Sequence, residues 1–224
     1  MKSFFHDTIH IPVGKVTLEA VLTVPEGAMS IVIFSLASSR SRYSRRYQKV
    51  AHQLQLRGFG TLLVDLLTNE EDAAYYYTRT NIELLTRRLT GITKWLEYYK
   101  PAAHLSMGYF AAGTGAAAAL KAACGLPHIH TVVCQGGRPD MAADLLPDIE
   151  VPVLLIAGTL DADTLGHSQQ AFEKLQCRKK LLEIKGAGQL FVENNAMSLV
   201  MENAINWFNH YLKVPLPQPA PQVH

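Results

Sequence analysis

One segment near the middle of the chain constrains the fold more than any other. It reads LSMGYFAAGTGAAAAL over residues 105–120. Its first part, residues 105–110, is apolar enough for a buried strand. A run of small residues follows at 111–115, and the alanine-rich residues 116–120 favour a helix. The segment therefore predicts a strand that turns sharply into a helix, through residues small enough for the two elements to pack closely.

The same layout, with the pattern G-x-S-x-G, is typical of a nucleophile elbow, which exposes a serine hydroxyl on a strained turn. In this chain the position of that serine is occupied by Gly113. The next residue, Thr114, is predicted to start the helix as an N-cap or first-turn residue rather than to replace the nucleophile. The sequence thus predicts an elbow that has lost its nucleophile.

Strand and helix patterns alternate through the remainder of the chain. Residues 4–11 and 16–24 alternate between apolar and polar side chains, which predicts an antiparallel hairpin. A continuous apolar run predicts a buried parallel strand at 31–36, and a second buried strand is predicted at 59–66. Further strands are predicted at 131–134, 153–157 and 180–184. Helical spacing is present at 43–57, 78–99, 168–175 and 195–211, and an acidic loop is expected at 68–72. The prediction is an α/β fold with a mostly parallel central sheet, an N-terminal antiparallel hairpin and helices on both faces.

Length and composition restrict the class of protein further. A chain of 224 residues with 48% hydrophobic and 18% charged residues can form one globular core. We expect a single domain over residues 1–212 and a proline-rich, disordered tail over 213–224. The formal net charge of +2 gives no reason to expect nucleic-acid or membrane binding. No apolar run has the length of a signal peptide or a membrane span.

Three cysteines, Cys124, Cys134 and Cys177, are an odd number without the spacing of metal ligands. Reduced thiols in a cytoplasmic protein are therefore expected. The histidines are scattered along the chain, so the sequence predicts neither a metal site nor a cofactor.

The order of elements, the elbow, the GGRPD loop at residues 136–140 and the segment LLIAGTLD at 154–161 together resemble the α/β-hydrolase fold. More narrowly, they resemble its dienelactone hydrolase-like branch, over about residues 31–212. The resemblance implies a catalytic triad in the order serine, acid, histidine. Asp161 matches the acid position, although an aspartate at a strand end can instead cap the following helix.

The resemblance places the catalytic histidine in the loop at residues 186–191, where this chain has Gln189. A glutamine amide can donate a hydrogen bond to Asp161, but it cannot take a proton from a hydroxyl near neutral pH. We expect Asp161 and Gln189 to lie within hydrogen-bonding distance of each other beside Gly113, as a remnant of the triad. The resemblance also implies an oxyanion-binding side, formed by the backbone of Leu36, Ala37 and Thr114.

Arginines follow the first parallel strand, in a loop that should lie at the carboxyl ends of the strands, where α/β sheets bind ligands. Arg40, Arg42 and Arg45 could hold a carboxylate or phosphate there. The alternative is a solvated helix entry in which one arginine pairs with Asp65 or with the acidic loop. Cys134, at the end of another strand, is a candidate replacement nucleophile, although such cysteines are usually buried apolar groups.

Two functional hypotheses follow from these residues. The first is a hydrolase-fold protein without serine-hydrolase activity that binds a small, anionic ligand or a partner. The second is a working hydrolase with a non-standard arrangement, such as Cys134 or a water molecule held by Asp161 and Gln189. The sequence leaves the ligand, the partner and the oligomeric state open.

Overall fold

A single eight-stranded sheet runs through the computed structural model, which describes residues 3–74 and 76–212, without the side chains at 3, 4, 74 and 76. The strands are β1 (Ser3–Val13), β2 (Val16–Pro25), β3 (Ser30–Leu36), β4 (Gly60–Asp65), β5 (Ser106–Ala112), β6 (Ile129–Gln135), β7 (Val153–Gly158) and β8 (Lys179–Ile184). Their order across the sheet is β1-β2-β4-β3-β5-β6-β7-β8. The proline-rich tail predicted at 213–224 lies outside the described residues.

The sheet confirms the predicted fold class. The hairpin of β1 and β2 is antiparallel, and β2 also pairs antiparallel with β4. All pairs from β4 to β8 are parallel. Every residue of β3, β4, β5 and β7 is buried, as expected for parallel strands covered on both faces.

The described residues form six α-helices, namely α1 (Arg45–Leu56), α2 (Asn69–Ala74), α3 (Ile82–Leu96), α4 (Gly115–Cys124), α5 (Ala162–Lys174) and α6 (Ala196–Tyr211). Side chains of α3, α4 and α5 pack in one core cluster, which we call the first core. Side chains of α1 and α6 pack in another, the second core. Helices therefore lie on both faces of the sheet, as predicted.

Two helices begin at positions to which the sequence pattern assigned no helix. Most of the acidic stretch at 68–72 belongs to α2, because Thr68 and Glu71 form a reciprocal capping box at its start. The Thr68 N–H donates to Glu71 Oε2 at 3.0 Å, and the Glu71 N–H donates to Thr68 Oγ1 at 3.3 Å. The fifth helix begins at Ala162, six residues before the predicted start, because Asp161 caps it. Both predictions were wrong for the same reason, since apolar periodicity does not register the capping residues of a polar first turn.

The strand–turn–helix unit at residues 105–120 is formed as predicted, by β5 and α4. Its helix starts against the neighbouring strand β3: a Cβ atom at Gly115 would lie 2.2 Å from the Ser35 carbonyl oxygen. The Ser35 hydroxyl in turn donates to the Gly115 carbonyl at 2.9 Å. A residue without a side chain is required at position 115 because the backbones of α4 and β3 are in direct contact.

Within the described part of the chain, no helix combines the length and the apolar character needed to cross a membrane.

Replacing Gly115 by alanine should destabilise the fold by about 3 kcal/mol, because the new methyl group would collide with a backbone atom that cannot move aside. Gly125→Ala is the matched control, since Gly125 ends the same helix and a Cβ atom there would meet nothing within 4 Å. Urea unfolding of both variants measures the difference. Equal stabilities would show that α4 can shift away from β3 at little cost.

Candidate functional site

The elbow is built from backbone contacts around Gly113. This residue has φ +59°, is exposed, and would place a Cβ atom in open space. Its carbonyl accepts hydrogen bonds from the N–H groups of Arg138, at 3.0 Å, and Ala116, at 3.3 Å. Gly137 packs so closely on Gly113 that a Cβ atom at Gly137 would lie 2.2 Å from the same carbonyl oxygen. The turn is thus held in a left-handed conformation that suits glycine, with free space where a serine side chain would project.

The acid position does not form part of a triad in this structure. The Asp161 carboxylate accepts the Thr164 N–H at 3.2 Å and the Thr164 hydroxyl at 2.6 Å. Asp161 is therefore the N-cap of α5, which was the alternative interpretation of the sequence. Both carboxylate oxygens have partners within the helix that follows them.

The base position is also separate from the acid. Gln189 is exposed, and within the described residues no hydrogen bond joins it to Asp161. The two loops are connected through other atoms, since the Leu160 N–H donates to the Ala187 carbonyl at 2.9 Å and the Gly186 N–H to Thr159 Oγ1 at 2.9 Å. The predicted Asp161–Gln189 hydrogen bond is not formed, because the adjacent loops are joined mainly through their backbones and Asp161 is used as a cap.

A small cavity of about 200 Å³ opens beside the elbow, at the carboxyl ends of β3 and β5. It is lined by Leu36, Ala37, Ser38, Ser41, Tyr47, Arg79, Ala112, Gly113 and Thr114. The structure thus brings together the positions that the sequence assigned to the nucleophile and to the oxyanion-binding side. The N–H groups of Ala37 and Thr114 donate no hydrogen bond to any described residue, so both remain available to a ligand.

Thr114 occupies the N-cap position of α4, as predicted, but its side chain does not cap the helix. Its hydroxyl instead donates to the carbonyl oxygen of Arg79. This contact fixes the segment before α3 against the elbow, and it removes the hydroxyl from any role as a nucleophile.

The arginines of the loop after β3 do not converge on the cavity. Arg42 binds Asp65 through its N–H at 3.0 Å and its guanidinium at 2.5 Å, and it also donates to Glu19 at 2.7 Å. Burial raises the pKa of Asp65 although Arg42 opposes the shift. Arg40 and Arg45 are exposed, and neither lines the cavity. The proposed anion-binding role of Arg42 is corrected to the alternative interpretation, a structural ion pair with Asp65.

Arg79 is the cavity-lining arginine, and the sequence analysis missed it. Its Nε and Nη2 groups donate to the Asp72 carboxylate, the latter at 3.0 Å. The same carboxylate accepts the Ser39 N–H at 3.0 Å and the Ser39 hydroxyl at 2.6 Å. Asp72 therefore joins the loop after β3 to the segment before α3, on two sides of the cavity. No local motif points to this arrangement, since Ser39 is 33 residues from Asp72 in sequence.

Cys134 is not available as a nucleophile. Its side chain is 1% exposed and belongs to the first core, whereas the cavity residues Leu36, Ala112 and Tyr47 belong to the second. Burial raises the pKa of the Cys134 thiol to about 12, so no thiolate forms near neutral pH. The candidate catalytic or binding role of Cys134 is therefore wrong, because alternation along β6 directs this side chain to the other face of the sheet.

Gly113→Ser should destabilise the fold by about 1–2 kcal/mol, because a residue with a Cβ atom is strained at positive φ. Gly166→Ser, in α5, is the control: the site has no positive φ and a Cβ atom there would meet nothing within 4 Å, so this change should be close to neutral. Thermal or urea unfolding compares the two. A neutral Gly113→Ser would mean that the elbow is not strained.

Asp72→Asn should lower the free energy of unfolding near neutral pH. As the pH falls, the variant should also lose less of this free energy than the native protein does. Burial by itself would raise the pKa of Asp72, but hydrogen bonds from Arg79 and Ser39 together outweigh it and hold the pKa below its ordinary value. The stabilisation is therefore complete above the unfolded-state pKa, near 4, and is lost as the pH falls through the lower folded-state pKa.

Urea unfolding between pH 7 and pH 3 measures this effect. Glu26→Gln is the control, because Glu26 is exposed and its side chain has no hydrogen bond or ion pair with the described residues. If both variants kept the acid dependence of the native protein, the Asp72 contacts would contribute nothing to it.

Comparison with known proteins places these features in a family. No protein-family model matches the chain. It is 40% identical over 215 residues to proteins from two strains of Mycobacterium tuberculosis, CDC 1551 / Oshkosh and H37Rv, whose provisional name is phosphoribosyl transferase. The match covers 94% of this chain and 48% of each relative, so the chain spans about half the length of these curated relatives.

Solved structures give a match over the full length of the neighbour. The dienelactone hydrolase of Anabaena variabilis is 42% identical with a TM-score of 0.90, over 95% of this chain and 100% of that one. A dienelactone hydrolase-like promiscuous phosphotriesterase from metagenomic libraries shares the fold, with a TM-score of 0.76 at 16% identity, over 94% of this chain and 100% of that one. On this evidence the chain belongs to the dienelactone hydrolase family, within the α/β-hydrolase fold.

Proposed function

We propose that this member of the dienelactone hydrolase family does not act as a serine hydrolase and instead binds a small ligand in the cavity beside the elbow. The observation that carries the proposal is Gly113, which keeps the left-handed backbone of an elbow but carries no side chain into the space above it. A nucleophilic hydroxyl is what such a turn exposes in a hydrolase.

The surrounding groups support the absence of hydrolysis. A serine or threonine hydroxyl needs an adjacent base, and a base needs an acid that orients it. Here Gln189 cannot accept a proton, and Asp161 is occupied by Thr164. The second hypothesis, a water molecule held between Asp161 and Gln189, loses support because no hydrogen bond links the two residues in the described structure. A thiol mechanism loses support from the burial of Cys134.

The features that remain favour binding of an oxygen-rich ligand. Two unused backbone N–H groups, from Ala37 and Thr114, are suited to a carbonyl or carboxylate oxygen. The hydroxyls of Ser38 and Ser41 lie 2.6 Å apart at the cavity wall. A cavity of about 200 Å³ lies below the 300–1,000 Å³ of pockets for drug-sized ligands. We infer a ligand that inserts only a few non-hydrogen atoms, with a small carboxylate as the best candidate.

We do not assign to this chain the transferase activity in the name of the Mycobacterium tuberculosis relatives. The matching part of those proteins is 48% of their length, which leaves room for a second domain to which the name can apply. The small size of the cavity also argues against a ribose phosphate together with an acceptor. We propose that the part of these relatives that matches this chain binds a small ligand. Any transferase activity of the relatives would then belong to the part that this chain does not match.

The purified protein should show no turnover of p-nitrophenyl acetate above a denatured control and no labelling by a fluorophosphonate probe. General-base catalysis alone contributes about 10²–10⁴-fold, and the nucleophile is missing as well. The double variant Gly113→Ser with Gln189→His should recover a trace of esterase activity, and Gly113→Ser alone should not. Turnover by the native protein that disappears in Cys134→Ala would overturn the proposal in favour of a thiol hydrolase.

Ligand binding is tested by titrating isotope-labelled protein with propionate and, as the uncharged control, propionamide. The amide resonances of Ala37 and Thr114 should shift with propionate, more strongly than with propionamide, because both residues line the cavity and a backbone N–H group prefers a charged acceptor. Shifts confined to residues away from the cavity would contradict binding at the elbow.

A further inference from the structure

A groove of about 380 Å³ lies between the β1–β2 hairpin and the helices α2 and α3. It is lined by the hairpin turn at residues 13–16, by Glu71 of α2, and by Leu84, Arg87 and Arg88 of α3. None of these residues lines the elbow cavity. The volume of the groove is within the range of roughly 300–1,000 Å³ that is typical of small-molecule sites. The groove is therefore large enough to be a second binding site, separate from the elbow.

Three aliphatic side chains form the apolar part of this groove. Val13 and Val16 flank the hairpin turn, and Leu84 belongs to α3. All three are half-buried and pack against the first core, so each is still partly open to the groove. The two walls are in direct contact, because a Cβ atom at Gly91 of α3 would lie 2.7 Å from Val13 Cγ1. The close packing of the hairpin on α3 means that the groove is already formed without a ligand.

Two cationic side chains line the groove without a carboxylate of the chain to pair with. Lys15, in the hairpin turn, and Arg87, in α3, are exposed, and neither side chain forms an ion pair with any described residue. A third cation, Arg88, is paired, because both of its terminal nitrogens donate to the Glu71 carboxylate. Three cations and one carboxylate leave an excess of two positive charges beside the aliphatic side chains.

We propose that this groove binds a small amphipathic anion, namely a medium-chain carboxylate. Its hydrocarbon chain packs on Val13, Val16 and Leu84, where it removes apolar surface from water. Its carboxylate pairs with Lys15 and Arg87. An uncharged apolar ligand would leave both cations unpaired, and a small hydrophilic anion would leave the aliphatic side chains exposed to water. The inference is independent of the proposed function, because it concerns a different site.

The first test titrates isotope-labelled protein with butyrate, hexanoate and octanoate. The amide resonances of residues 13–16 and 84–88 should shift, and the affinity should rise about two- to fourfold for each added methylene group that is buried. Octanamide, which has the same chain without the charge, should bind less tightly than octanoate. Salt should weaken the binding of octanoate only, because it screens exposed charges. An affinity that does not depend on chain length would overturn the inference.

The second test removes one charge from the groove. Arg87→Gln should weaken octanoate binding about 1.5- to 5-fold, as expected for one exposed ion pair, and should leave octanamide binding unchanged. Lys94→Gln is the matched control, because Lys94 is an exposed cation of the same helix that does not line the groove. Both residues are exposed, so neither change should disturb the fold. Equal losses of octanoate affinity in the two variants would show a general effect of net charge and would overturn the site.

The positions of the shifted resonances distinguish this groove from other binding sites. Octanoate shifts confined to Ala37 and Thr114 would place the ligand in the elbow cavity, which would overturn the inference and support the proposed function. Shifts at residues 13–16 and 84–88 that grow with protein concentration, without octanoate, would show that a second copy of the chain covers the groove. That result would also overturn the inference, and so would the absence of any shift in the groove with octanoate.

Discussion

The contact between the start of α4 and strand β3 is the constraint on which the rest of this structure depends. With Gly115 against the Ser35 carbonyl, the helix can begin only after a sharp turn, and Gly113 provides that turn. Gly137 and the Arg138 N–H then fix the turn from the other side. Three backbone segments meet within van der Waals distance, so backbone contacts define the shape of the cavity beside them.

Three carboxylates around the elbow form hydrogen bonds that connect parts of the fold. Asp65 binds Arg42, Asp72 joins Ser39 to Arg79, and Asp161 caps α5. Each of these three carboxylates accepts hydrogen bonds from neighbouring groups of the chain. In a working triad the acid has the opposite arrangement, because its free oxygen faces an imidazole. The dienelactone hydrolase fold is retained here while its charged groups are used for structure.

The polar atoms around the elbow fall into two groups. The polar atoms that have partners hold loops together, as Asp72 and Thr114 do. The backbone N–H groups of Ala37 and Thr114, two residues that line the cavity, have no partner among the described residues. A ligand there would complete the hydrogen bonding of the sheet edge, and binding would then also stabilise the native state.

The sequence by itself determined the sheet, its buried strands and the turn at Gly113, because apolar runs and small residues act through local sterics and burial. The resemblance to dienelactone hydrolases also predicted one site for Gly113, Ala37 and Thr114, and the cavity brings these three residues together. Only the tertiary structure decided which charged groups were free. Arg42 was paired with Asp65 and Cys134 faced the other core, while Arg79 reached the cavity from a distant segment. Side-chain pairing depends on distances between segments remote in sequence, and no local pattern encodes those distances.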